Sequence, residues 1–360
     1  MMKKKKHIAF LIMDFSNGGG TERVTSVIAN NLKKAGYNIS VISCQKGEVS
    51  RFFLESGVKL ISLHGEKENN KILRKIKTYK FLKKVIIEKK IDIVIAVDVT
   101  LYLYLFPLQL QHLCKCVAWE HFNYYIAQNR TIKLARKLAA KCADAVVVLG
   151  KNDLNNYIKN IKKIKNIRYI YNPIAVKIDP SANMESKTII AIGRLAEQKG
   201  FDLLIESWSK LEKEFPDWEL NIFGEGSLRK ALEKQIQSYK LKQIYLRGYA
   251  KDVDFELLNS SIFVLPSRYE GFVLVLMEAQ AKGLPCVAFN CKEGPAEIID
   301  DGVNGFLVEP SNTEKFAQKL RILMENKTLR EQFSKKSTKD LARFDTNKII
   351  NEWINLIEGI

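Results

Sequence analysis

The sequence predicts an α/β protein made of two doubly wound domains in succession, each a parallel sheet covered by helices on both faces. Three observations carry the prediction. The 360 residues exceed what one ordinary core holds. Short Val- and Ile-rich runs alternate with helix-like stretches, and the series occurs twice. Between the two series lies an aperiodic stretch. The expected layout is a first domain over 1–175, a linker over 176–187 containing Pro180, Ser181 and Asn183, a second domain over 188–340, and a closing segment 341–360.

In the first half the strand-like runs are 7–13, 38–44, 58–63, 91–97, 115–121, 145–149 and 167–171, the last ended by Asn172-Pro173. They are short, mostly apolar and rich in Val or Ile, and their alternation with helices argues a parallel sheet covered on both faces. Helical patterns fall at 21–35 (stopped by Gly36), 71–90, 101–111, 131–142 and 152–159. The second half repeats the scheme. Strands are expected at 188–192, 219–223, 244–246, 262–265, 286–289 and 306–308. Helices are expected at 201–213, 227–238, 253–259, 272–282 and 313–325, with further helices after 329 and notably at 348–357.

Composition narrows the class. The apolar run at 7–13 is short and ends at Asp14, which suits a first strand better than a secretory signal. The longest uncharged run, 99–114, falls short of the roughly 20 residues that span a bilayer and contains Pro107. Six cysteines without a Cys-x-x-Cys pair read as reduced thiols and point to a cytoplasmic protein. The net charge of +18 is lopsided: residues 1–183 carry 33 Lys and Arg against 13 Asp and Glu, while the remainder sits at −2. The stretches 71–90 and 130–168 hold most of the excess. They read either as solvated lysine-rich helix faces or as a surface for an anionic partner. Phe122, Tyr124, Tyr125 and the apolar 101–110 run interleave with them, which favours a membrane surface over nucleic acid. No recognised nucleic-acid motif is present.

The chemistry gathers in Ser267 to Ala281. A buried strand runs into Glu270-Gly271-Phe272, and a helix is expected to start near Phe272. Gly271 lets backbone come close to a ligand, and the first N–H groups of a helix attract anions. Glu270 at the mouth and Glu278 eight residues on suit a ligand with hydroxyls at both ends and phosphate between, namely a nucleotide-sugar. Arg194 and Lys199 follow another strand, where open α/β sheets collect ligands, and two cations there can neutralise a departing diphosphate. Gly18-Gly19-Gly20 joins the first strand to the first helix. It is neither Gly-x-Gly-x-x-Gly nor a P-loop, since no Gly-Lys-Ser/Thr ends it. Asp300-Asp301 is adjacent rather than spaced and reads as a turn, so no metal and no cofactor are expected.

The Glu270 to Glu278 spacing, Gly193-Arg194-Leu195 with Lys199-Gly200, Gly18-Gly19-Gly20-Thr21-Glu22-Arg23 and Gly294-Pro295-Ala296-Glu297 resemble, in this order, the motifs of the retaining family 4 glycosyltransferases. The resemblance runs from about residue 7 to the C-terminus. It implies the GT-B fold, two Rossmann-like domains facing a cleft with the C-terminal helix crossing back to the first. It also implies transfer of a hexose or N-acetylhexosamine from a UDP-sugar, with retention, to a saccharide or polyprenyl-linked saccharide in cell-surface polysaccharide synthesis at the inner face of the plasma membrane.

Carried over by residue, Glu278 would hold the donor ribose, Glu270 would touch the transferred sugar, and N–H groups of Phe272 and Val273 would meet the phosphates. Gly224 of Gly224-Glu225-Gly226 would line the cleft, Tyr249 would lie where the base is seated, and His121 would hydrogen-bond the donor sugar. A lone histidine is more often structural, and that alternative stays open. Two other readings also remain: a UDP-sugar epimerase on the same architecture, and a basic nucleic-acid-binding protein.

Overall fold

The computed structural model describes residues 5–45, 49–63, 70–126 and 129–360; Lys3 and Lys4 of the basic N-terminal run lie outside this set. The chain divides into two compact units, one running to Ala175 and completed by Thr346–Ile360, the other Val176–Asp345.

Unit 1 follows a strand-helix alternation: β1 (His7–Ile12), α1 (Gly20–Lys34), β2 (Asn38–Ser43), β3 (Lys59–Ser62), α2 (Lys71–Lys89), β4 (Ile93–Val97), α3 (Tyr102–Leu110), β5 (Lys115–Trp119), α4 (Arg130–Cys142), β6 (Ala145–Val148), α5 (Lys151–Asn160) and β7 (Ile167–Tyr169). Its seven strands are ordered β3-β2-β1-β4-β5-β6-β7, and every pairing is parallel. The runs of β1, β2, β4, β5 and β6 are buried almost throughout, all of β4 included, while the edge strands β3 and β7 are only partly buried. Helices α2 to α5 cover one face of the sheet around Leu82, Ile86, Leu105, Ala139 and Tyr157.

Unit 2 repeats the pattern with β8 (Thr188–Ile192), α6 (Phe201–Ser209), β9 (Glu219–Phe223), α7 (Arg229–Ser238), β10 (Ile244–Gly248), α8 (Val253–Leu258), β11 (Ile262–Leu265), α9 (Leu274–Ala281), β12 (Cys286–Phe289), β13 (Gly305–Val308), α10 (Thr313–Glu325) and α11 (Lys327–Ser337). The strand order is β10-β9-β8-β11-β12-β13, again parallel. Trp208, Phe289 and Phe316 sit in its core. The irregular 176–187 stretch is tied to unit 2, with the Asp179 and Ala182 N–H groups donating to the Ala281 and Lys282 carbonyls at 2.8 and 3.0 Å. A 3-10 turn, Asp340–Phe344, precedes α12 (Thr346–Gly359), which packs into unit 1: Trp353 is fully buried and meets the Trp119 ring edge-on at 5.0 Å.

Helix starts fall into two groups. Asn70, Asn129, Asn312 and Asn326 cap α2, α4, α10 and α11 with their side chains. Helices α1, α6 and α9 open on Gly19, Gly200 and Val273 with no side-chain cap, which leaves their first N–H groups for other acceptors. Helix α9 begins at Leu274, two residues later than expected at Phe272. Gly271 to Val273 is irregular, and the Phe272 ring packs edge-on to Phe344 at 5.6 Å.

Candidate active site

In unit 2 the chain works outward from β8 to β10, then returns to β11 and works outward the other way. Loops leaving the carboxyl ends of β8 and β11 therefore diverge and leave a crevice, which is where doubly wound sheets bind ligands. Both loops carry residues singled out in the sequence, and the fold joins them. Lys199 Nζ donates to Glu270 Oε1 at 2.6 Å, with the Lys199 side chain 19% and the Glu270 side chain 7% exposed. Gln198 Nε2 donates to the Tyr269 carbonyl at 3.1 Å and reaches Glu270 Oε2 at 3.4 Å. Arg268 N–H donates to the Gln198 carbonyl at 2.8 Å, and the Arg268 guanidinium forks onto Asp202 at 2.7 and 2.6 Å. That fork holds the Asp202 carboxyl below its ordinary range. Gly200 makes the approach possible: it has φ +64°, and a Cβ there would lie 2.1 Å from the Pro266 carbonyl oxygen.

Arg194 is exposed and makes no ion pair among the described residues. Its loop is clamped from below. Gly193 N–H donates to the Phe223 carbonyl at 2.9 Å and Leu195 N–H to that of Glu225 at 3.0 Å. Gly224, at φ +139°, lies so close that a Cβ would sit 1.9 Å from the Gly193 carbonyl oxygen. Its immediate task is therefore to seat the Arg194 loop.

Glu278 is 4% exposed in the second turn of α9. The turn after Gly294 (φ +95°) backs the Gly271 loop, since a Cβ on Gly294 would lie 3.2 Å from the Gly271 carbonyl oxygen and 3.3 Å from Glu270 Cβ. Beside it, burial and the Glu270 charge push the Cys291 thiol up to about 12. Tyr249 is 78% exposed after β10, and among the described residues no contact joins it to the Lys199–Glu270 pair. The fixed group there is Arg247, bonded through Nε to Asn221 Oδ1 at 2.6 Å.

Unit 1 carries its residues at the carboxyl edge of its own sheet. Gly18, Gly19 and Gly20 link β1 to α1 without a positive φ, so backbone conformation does not account for them. The Glu22 carboxylate folds back on the Gly19 N–H, and a Cβ on Gly19 would meet its Oε2 at 2.6 Å. His121 follows β5. It is 8% exposed, its ring lies 4.2 Å from that of Trp119, and its Nε2 has no partner among the described residues. Burial pushes its pKa down to about 3, so the imidazole is neutral near pH 7.

The sequence reading missed the network that holds this loop. Glu120, 1% exposed, takes hydrogen bonds from Arg136 Nε at 2.8 Å and the Tyr157 hydroxyl at 2.7 Å. Arg136 also donates to the carbonyls of Asn123, Tyr124 and Ile126. Burial raises the Glu120 carboxyl to about 7 against the pull of Arg136. Arg136 lies within the basic 130–168 stretch, yet it is 2% exposed and serves the loop, not a surface. Asp98, after β4, holds the strained φ of +103° while its Oδ1 accepts from the Thr100 N–H and hydroxyl at 2.7 and 2.6 Å. Nothing in the sequence pattern flags it. No cluster of three His, Cys, Asp or Glu arranged for a metal ion occurs among the described residues.

The family models "Glycosyltransferase Family 4" and "Glycosyl transferases group 1" match residues 18–177 and 176–340. A Haemophilus influenzae protein described as an uncharacterized glycosyltransferase is 33% identical over 98% of this chain and all of its own. The chain is a family 4 glycosyltransferase. A second relative of this transferase is the Campylobacter jejuni "GalNAc-alpha-(1->4)-GalNAc-alpha-(1->3)-diNAcBac-PP-undecaprenol alpha-1,4-N-acetyl-D-galactosaminyltransferase", 26% identical over 98% of each chain. Among solved structures, S. aureus TarM in complex with fondaparinux, alpha-GlcNAc-glycerol and UDP superposes with a TM-score of 0.82 at 18% identity, covering 98% of the transferase and 99% of TarM. The fold is therefore GT-B, as the motifs implied.

Proposed function

We propose that this glycosyltransferase moves a hexose or N-acetylhexosamine from a UDP-sugar, with retention of configuration, to a lipid-linked saccharide in bacterial surface-polysaccharide synthesis. The observation that carries the reading is the Lys199–Glu270 pair, partly buried, beside the uncapped start of α9, at the switch point of the unit 2 sheet. A cation and open N–H groups supply counter-charge for a diphosphate, while Glu270 and Glu278 offer acceptors for hydroxyls. The UDP bound in TarM and the undecaprenol-linked acceptor in the C. jejuni relative's name support the donor and acceptor classes.

In the proposed step the acceptor hydroxyl oxygen bonds to the anomeric carbon as the bond from that carbon to the phosphate oxygen breaks. The electron pair leaves with the diphosphate, which takes the acceptor's proton on the same face. Lys199, Arg194 and the α9 start stabilise the growing negative charge, and the neutral His121 hydrogen-bonds the sugar. On this reading turnover needs no divalent ion.

Thermal unfolding with UDP, GDP and ADP tests the donor. A hundredfold excess over Kd stabilises by about 2.7 kcal/mol, roughly 5–10 °C, for UDP alone. Transfer assays with and without a chelator, and NMR of the product anomer, test the remainder. A shift with no nucleotide, turnover lost on chelation, an inverted anomer, or free epimerised sugar from the donor alone each overturns its part of the reading.

A further inference from the structure

The six cysteines are free thiols, and the fold sorts them into kinds. Cys44, Cys286 and Cys291 are buried, and burial pushes all three thiols above the ordinary thiol range. Such sulfurs behave as small apolar side chains. Cys114 and Cys116 differ. Cys114 is half-buried in the bend that leads into β5, and Cys116, the second residue of that strand, is fully buried. Their Sγ atoms stand 3.8 Å apart.

The bend borders a cavity of about 610 Å³ at the amino edge of the unit 1 sheet, the edge away from His121 and the glycine loop. Cys114 lines it with Cys142, and exposed Leu110, Lys115 and Lys165 line its mouth, so it opens to solvent. A small solute therefore reaches Cys114, whereas fully buried Cys116 is out of reach.

The backbone fixes the pair. Strand β5 is paired on both sides, with Cys116 opposite Val94 of β4, and the Cys116 N–H donates to Asp144 Oδ2 at 2.9 Å. The Asp144 carboxylate, whose charge would oppose a thiolate, is also engaged by Gln109 Nε2 at 3.0 Å and by Lys115 and Lys165, each at 3.5 Å. The Cys116 thiol donates to the Cys114 sulfur and holds the Cys114 thiol below its ordinary range, while that bond and burial push the Cys116 thiol up. Two residues of strand span about 6.6 Å between Cα atoms, within the roughly 4.4–6.8 Å that a disulfide bridges.

We infer that Cys114 is a site of reversible oxidation by hydroperoxides, with Cys116 as the thiol that closes a disulfide onto it. The Cys114 sulfur attacks one oxygen of hydrogen peroxide, and the O–O bond breaks. The departing hydroxide takes the proton that the Cys114 thiol gave up and leaves as water. Sulfur has then lost two electrons to the peroxide and stands as a sulfenic acid. The Cys116 sulfur attacks the Cys114 sulfur, the S–O bond breaks, and the second hydroxide leaves as water with the Cys116 proton. A ring closed over the single residue Lys115 is tight, and tight disulfides are the readily reduced kind, so a thiol such as glutathione reopens it. Closure also keeps Cys114 from the irreversible sulfinic acid.

The experiment treats the full reduced chain with hydrogen peroxide and maps its cysteines by mass spectrometry. Lys115 stands between the two, so cleavage after it should give peptides that stay joined until glutathione separates them. Dimedone, which traps sulfenic acid, should mark Cys114 only weakly in wild type and about tenfold more in Cys116→Ser, which lacks the resolving thiol. Cys114→Ser should show neither link nor adduct, and Cys142→Ser should match wild type. Iodoacetamide should alkylate Cys114 in the reduced protein at least about tenfold faster than Cys44, Cys286 or Cys291.

The wild-type map needs no variant, and a melting curve shows that each variant is folded. None of these readouts depends on sugar transfer. Absence of the joined peptides, a bond from Cys114 to Cys142, adducts spread over all six cysteines, or equal dimedone labelling in wild type and Cys116→Ser each overturns the inference.

Discussion

Replacing Lys199 by methionine removes the cation from a carboxylate that the fold has already taken out of water. Breaking a fully buried ion pair costs about 3–5 kcal/mol, because the remaining charge is stranded. Here the Lys199 side chain is 19% exposed and the Gln198 amide reaches the other Glu270 oxygen at 3.4 Å, so about 2 kcal/mol is the reasoned loss. In a thermal scan that is roughly 4–8 °C. Turnover should fall about 10²- to 10³-fold, the usual cost of one group stabilising transition-state charge. Adding Glu270→Gln removes the stranded charge, so the double variant should recover most of the stability and none of the turnover. Urea denaturation with initial rates on the three proteins reads both quantities. A double variant that regained activity along with stability would refute the reasoning, since Lys199 would then serve only to hold Glu270.

Gly224→Ala should cost about 3 kcal/mol and disable turnover, because its Cβ falls 1.9 Å from the Gly193 carbonyl oxygen at φ +139°; a wild-type melting temperature would contradict the clamp. His121 gives a pH signature. Its native pKa of about 3 lies below the ordinary value of 6.5, so the unfolded chain binds the proton first and native stability falls as pH drops from 6.5 toward 3. Between pH 7 and pH 5 wild type should lose about 2 kcal/mol more than His121→Gln, and parallel curves would show that the ring is not held neutral.

What the sequence disclosed and what it withheld follow from physical range. Strands such as Ile93–Val97 were readable because a parallel strand buried on both faces leaves an unbroken apolar run. Gly200 and Gly224 stood out because only glycine tolerates the close backbone approaches found there. The Lys199–Glu270 bond joins residues 71 apart, so their proximity follows from the strand order, although each stands out alone in the sequence. Phe272 reads as helix by pattern, but α9 starts at Leu274, and the Phe272 ring packs on Phe344, a partner 72 residues away that no local pattern reveals. Arg136 looks like its basic neighbours in the chain; its burial under three carbonyls is a property of the loop it holds. Asp98 carries its strain in a backbone angle, which composition does not record.

The last helix sets an order of assembly. Trp353 closes against Trp119, directly beneath the His121 ring, and Tyr37 donates its hydroxyl to Glu358 at 2.6 Å. During synthesis the first unit emerges with a hole where α12 belongs, and the whole of Val176–Asp345 must leave the ribosome before the plug arrives. The half that is started first is therefore finished last.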